Sequence, residues 1–180
     1  MGFFSSRKGN ATGTGNYLPA WCGTLDLALT ESITSSESRK EEGGMKTVAS
    51  VRIVRVVTPG RVKVKEGEIY TILYKIPAAK TKQGPGLDGT FKLIRAFSNV
   101  PANVLSQGGE AITEWAANEA DRAVGGANVG VIGKIARCTV TGSDEQGTYN
   151  KIQWDFAADT SKTPVQGANN ATTDDDDEAF

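Results

Sequence analysis

KTVASVRIVRVVT, residues Lys46 to Thr58, decides the fold class. Val, Ile and Thr dominate it, and neither Gly nor Pro interrupts it, so it reads as a strand. A period of two places Val51, Ile53 and Val57 on one face with Arg55, and Arg52 on the other with Val54 and Val56. Pro59-Gly60 closes the run as a turn. Beyond it, Arg61, Lys63 and Lys65 alternate with Val62 and Val64, which puts three cations on one side.

Upstream, Trp21 to Thr34 reads as a first strand, with Leu25, Leu27 and Leu29 alternating with Asp26, Ala28 and Thr30. The polar stretch Ser35 to Gly44 is the hairpin loop between the two. Downstream, Glu68 to Ile76 is a third strand. It sends Tyr70, Ile72, Tyr74 and Ile76 one way and Ile69, Leu73 and Lys75 the other. A Gly/Pro-rich basic loop, Pro77 to Gly89, carries Lys80 and Lys82, and Phe91 to Phe97 reads as a further strand bearing Lys92 and Arg95. One helix is expected, Gly109 to Val124, with Ile112, Trp115, Ala116, Ala120 and Ala123 along one stripe and Gly125-Gly126 ending it. Val131 to Thr141 and Thr148 to Phe156 complete the strands.

Three strands, a helix and two strands is the order of an OB-fold, a five-stranded Greek-key barrel with its helix between the third and fourth main strands. The expected class is therefore all-β with one helix. Another small β-barrel competes, whereas an α/β sheet lacks its crossover helices. Residues 1–16, rich in Gly, Ser, Thr and Asn, read as a flexible arm. Residues 17–156 form the folded domain, and residues 157–180 lack the apolar side chains that would order them.

Charge is distributed unevenly. The chain carries 20 Lys and Arg against 21 Asp and Glu. Asp174, Asp175, Asp176, Asp177 and Glu178 crowd the last seven residues. Without those five the balance is 20 cations against 16 acids, so the rest of the chain is basic by four. The absence of histidine removes Ser-His and Cys-His catalysis and His-containing zinc sites. The two cysteines, Cys22 and Cys138, are too few for a thiolate zinc site and read as buried small hydrophobes. The tail's consecutive aspartates lack the spacing and Gly turn of a calcium loop. Gly9 to Gly15 lacks the Gly-Lys-Ser/Thr ending of a phosphate loop. No cofactor is expected. No apolar run reaches the length of a membrane span, and Met1 to Lys8 lacks the apolar segment of a secretory signal, so a cytoplasmic protein is expected.

Cations interleaved with aromatics on strands are what a single-stranded nucleic acid requires, for phosphates and for base stacking respectively. The candidate phosphate contacts are Arg55, Lys63, Lys65, Lys80, Lys82, Lys92 and Lys151. The candidate stacking rings are Tyr70, Tyr74, Phe91 and Trp154. Trp21 fits either core or surface.

The tail, Asp174 to Glu178 followed by Ala179 and Phe180, resembles the C-termini of bacterial and bacteriophage single-stranded DNA-binding proteins. Those end in several acids followed by a terminal or near-terminal Phe. Glu178-Ala179-Phe180 stands where many bacterial members have Ile-Pro-Phe. The organisation of the rest is more similar to phage-encoded OB-fold proteins, through Gly43-Gly44, Val131-Ile132-Gly133-Lys134 and Tyr149-Asn150-Lys151-Ile152. The resemblance implies a non-catalytic protein that coats single-stranded DNA in phage replication, recombination and repair, in the host cytoplasm; a homo-oligomer is compatible with the sequence, which does not fix the oligomeric state. It implies that Asp174, Asp175, Asp176, Asp177, Glu178 and Phe180 dock on replication proteins (a polymerase, helicase or primase) and compete with DNA. A tail of this length reaches roughly 25–30 Å as a random coil, enough to visit the domain's own surface. The alternatives are an adaptor whose barrel binds a protein, and a metal-dependent nuclease using Asp144 and Glu145.

Overall fold

The computed structural model describes residues 16–38, 42–78, 84–146 and 149–161. Among them are β1 (Gly23–Leu29), β2 (Thr34–Glu37), β3 (Met45–Pro59), β4 (Ile69–Ile76), α1 (Pro85–Phe97), α2 (Ala102–Leu105), α3 (Gly109–Val124), β5 (Ile135–Gly142) and β6 (Asn150–Asp155). Residues 1–15 of the arm expected at 1–16, Lys80 and Lys82, and residues 162–180 of the tail expected at 157–180 lie outside the described residues.

The strands form one antiparallel sheet in the order β2-β3-β1-β5-β6, with β4 also paired to β3. β3 is its spine. β2 and β4 both pair with its first residues and so lie along opposite edges, and β1 follows β2 along the same edge. The single first strand expected from Trp21 to Thr34 is broken at residues 30–33, where Ile33 makes an isolated bridge to Val129, and Ser35 to Glu37, the start of the stretch expected as a hairpin loop, pairs with β3 within the short strand β2. Thr30 keeps the run attached to β3, its backbone N–H donating to Ser50 O at 2.9 Å.

The sheet does not close into the expected five-stranded barrel. β4 and β6 are its two far edges, and the chain at Asn16 to Leu18 hydrogen-bonds to both. Leu18 N–H donates to Thr71 O at 3.0 Å and Thr71 N–H to Asn16 O at 2.8 Å. Asn150 Nδ2 donates to Leu18 O at 2.6 Å.

The pairing corrects the simple alternation expected for β3. Leu25 faces Val56, Asp26 faces Arg55 and Leu27 faces Ile53, so one extra residue enters β3 at each of two bulges. The phase therefore changes after Ile53. Arg55 pairs with outward-facing Asp26 instead of sharing a face with Val51 and Ile53, and Val56 packs against the core.

The inner face carries Leu25, Leu27, Leu29, Val51, Ile53, Ile72, Cys138 and Val140, all within 1% of complete burial. Each large aliphatic side chain buried this way contributes about 1.5–3 kcal/mol relative to exposure. Two helices cover that face where one was expected. α3 spans the residues read from its stripe and packs against α1 and β2. The segment Phe91 to Phe97, expected as a strand, is the second half of α1. Thr90, Leu93, Ile94 and Phe97 are buried at helical spacing, and Pro85 sits in the first turn, where its missing N–H costs nothing. Two glycines inside α1 let it lie directly on β4. A Cβ at Gly86 would meet Lys75 O at 2.1 Å, and one at Gly89 would meet the Tyr74 ring at 2.2 Å.

Candidate nucleic-acid interface

Two helices occupy one face of the sheet, and the other face turns outward. Its residues follow from the register. β1 offers Thr24, Asp26 and Ala28; β3 offers Lys46, Arg52 and Arg55; β4 offers Lys75; β5 offers Arg137, Thr139 and Thr141; β6 offers Lys151, Gln153 and Asp155. Six cations thus share a surface with two acids. One row crosses the sheet as Arg55, Asp26, Arg137 and Asp155, alternating in sign. Asp26 is completely buried and accepts two hydrogen bonds from Arg137, at 2.7 and 2.9 Å. That two-point contact holds the guanidinium in its protonated form and raises its pKa further. Arg55 and Lys151 are exposed on the same face, and Arg52 is half-buried.

Aromatic rings flank this face at the β5–β6 end. Tyr149 continues the outward phase of Lys151 and Gln153 and is 73% exposed. Tyr17, 56% exposed, lies on the Asn16–Leu18 segment that Asn150 holds. Trp21 is half-buried beside β5; its Nε1 donates to Asp144 O at 3.0 Å, and the Arg61 guanidinium lies 4.1 Å from its ring centroid. Trp21, Arg61, Pro59, Thr139 and Thr141 line an open groove of about 350 Å³.

The candidate residues divide sharply. Arg55 and Lys151 lie on the outward face. Lys63 and Lys65 are exposed on the β3–β4 loop, where Lys63 Nζ donates to Gly60 O at 3.0 Å, next to the Trp21 groove. Lys92 lies on α1, on the helical side of the sheet, paired with Asp88 at 2.7 Å. The four rings expected to stack on bases are placed otherwise. Tyr70 and Trp154 belong to the buried core, and Tyr74 and Phe91 are packed against it. Trp154 meets Phe97 edge-on with centroids 5.3 Å apart. Buried Tyr70 and Trp154 offer no stacking surface, and half-buried Tyr74 and Phe91 lie on the helical side, against the core, rather than on the outward face. Tyr70 also donates from its hydroxyl to Glu68 Oε2 at 2.7 Å, which lowers the carboxyl's pKa. Burial, helped by Glu68, pushes the Tyr70 phenol up to about 12.

Arg52, Arg137, Tyr149 and Trp21 were visible in the sequence as strand cations and ungrouped aromatics. The phase of Asp26, set by the bulges in β3, would have selected the two arginines; the two rings lie outside the strands and no strand phase marks them.

A second cleft, beside α1 where β5 begins and β6 ends, is lined by Arg95, Ser98, Lys134, Trp154 and Phe156. Arg95 stacks on Phe156 at 3.9 Å from the ring centroid. Lys134 Nζ donates to Ser98 O, and burial lowers its pKa. Among the described residues, no group of three or more Cys, Asp or Glu is arranged to hold a metal ion. Nor is any described helix long and apolar enough to cross a membrane. The chain matches no protein-family model, no curated protein and no solved structure.

Proposed function

We propose that this chain is a non-catalytic, largely sequence-independent single-stranded DNA-binding protein that lays the strand across the outward face of its sheet. The observation that carries the reading is that face itself. Lys46, Arg52, Arg55, Lys75, Arg137 and Lys151 share it by strand register, and solvent-accessible aromatics stand at one end. Phosphates need the cations, and unpaired bases need open rings. The pairings of β1 with β3, β3 with β4, β1 with β5 and β5 with β6, with helices between β4 and β5, support an OB-type arrangement left open between β4 and β6. In that architecture the exposed surface around the second and third main strands, here β3 and β4, is where oligonucleotides lie.

The acidic tail supplies the second half of the proposal. Asp174 to Glu178 and Phe180 compete with DNA for the basic face and recruit replication proteins, as their likeness to the family's C-termini implies. Fluorescence anisotropy of labelled oligo-dT with the intact chain, over a series of salt concentrations, tests the reading. Binding is expected at low salt and weakens as salt displaces it. Absence of binding at low salt would reject the proposal.

A further inference from the structure

Trp21 is held in place more firmly than its exposure requires. Its φ of 61° makes it the one non-glycine residue with positive φ among the described residues. A bulky side chain in that region stores strain, and such strain persists only where the surroundings enforce it. They do so here with glycines. A Cβ at Gly60 would meet Trp21 O at 2.1 Å, and one at Gly142 would meet the indole Nε1 at 2.3 Å. Gly23, two residues on, leaves no more room, since its Cβ would meet Thr58 O at 2.1 Å. The backbone is tied down as well, with Val62 N–H donating to Trp21 O at 3.0 Å. The indole therefore rests on Gly142, is pinned through Nε1 to the β5–β6 turn, and turns its remaining face to Arg61 and an open groove.

We infer that Trp21 is the fixed base-stacking residue of this interface, and that Arg61 covers its ring until a base takes that place. The inference rests on the proposed single-strand binding. Arg61 sits on a long, exposed side chain beside Lys63, and Thr139 and Thr141 continue the groove onto the outward face. A base sliding onto the indole displaces the guanidinium, which swings to the adjoining phosphate. The exchange gives up one cation–π contact and gains a stack and a charge-assisted hydrogen bond. A ring already held in its bound orientation loses little conformational freedom when it stacks.

The test measures oligo-dT binding to the intact chain and to Trp21→Phe, Trp21→Gly and Arg61→Ala. Trp154 is core and Trp115 is packed against it, so quenching of tryptophan emission by DNA should come from Trp21. Trp21→Phe should keep affinity within about threefold while abolishing the quenching. Trp21→Gly relieves the positive φ and so keeps the fold; it should weaken binding by about 5- to 150-fold with an unchanged salt slope. Arg61→Ala should lower that slope by about 0.7, one phosphate's share for a single strand. Full quenching in Trp21→Phe, or wild-type affinity in Trp21→Gly, would overturn the assignment while leaving the outward face standing. An intact chain that does not bind at low salt would overturn both.

Discussion

Asp26 is wholly buried on the outward face, and Arg137 answers it with two hydrogen bonds while remaining about a quarter exposed. Removing the cation of such a pair takes the compensating charge from a buried carboxylate, which costs more than the pair contributes. Arg137→Ala should therefore lower stability by about 3 kcal/mol in urea denaturation. Arg55, opposite Asp26 on β3, is exposed, and its loss should change stability by less than about 0.5 kcal/mol. Under the proposed function Arg55→Ala should nonetheless weaken oligo-dT binding. The two variants separate the cation that holds the sheet from the cation that faces the strand. Both arginines were legible as strand residues, and Arg55 was read as a phosphate contact, but the structural role of Arg137 was not legible. Role depends on the bulges in β3, and a bulge is a pairing property that one strand's own sequence does not display.

At the scale of elements, β1, β3, β4, β5, β6 and α3 were legible because each carries its own period, whereas β2, Thr34–Glu37, was not, its polar residues from Ser35 on reading as hairpin loop. β3, β4, β6 and α3 lie within two residues of their expected limits, and β5 starts four residues late. α1 was hidden by its glycines. Gly84, Gly86 and Gly89 lower helix propensity and resemble loop chemistry, yet Gly86 and Gly89 are demanded by close contact with β4. Gly89→Ala should accordingly destabilise the protein by about 1–3 kcal/mol in thermal or urea unfolding. In a solvent-exposed helix the same change would stabilise by up to about 1 kcal/mol. The aromatic residues on β4 and Cys22 set a second expectation. Burial raises the Cys22 thiol to about 11, and Tyr70 and Tyr74 to about 12. In the unfolded chain these groups ionise near 8.5 and 10. The unfolded state therefore releases protons first, and the stability these groups provide is intact below about pH 8.5. It should fall as pH rises toward 12, visible as a declining melting temperature above about pH 9.

Across the whole molecule, charge and layer divide the labour. Helices and aromatic side chains fill the inner face, while most sheet cations collect on the outer one, although the chain as a whole has a formal charge of −1. The basic surface was foreseeable from the charge asymmetry along the chain. Arg55 and Lys151 were foreseen on it, but its aromatics were not, because Tyr70, Tyr74 and Trp154 pack in or against the core while Trp21 and Tyr149 lie in turns outside the strands. If the acidic C-terminus competes for this surface, a chain ending at Ala171 should bind oligo-dT more tightly than the intact one, most visibly at low salt. The most direct test of the outward face compares the salt dependence of oligo-dT binding in the intact chain and in an Arg52→Ala, Arg55→Ala, Lys151→Ala triple variant. Each lost phosphate contact removes about 0.7 from the slope of log affinity against log salt, so the triple variant should be shallower by about 2. An unchanged slope, with the variant folded and bound as tightly as the intact chain, would contradict the account.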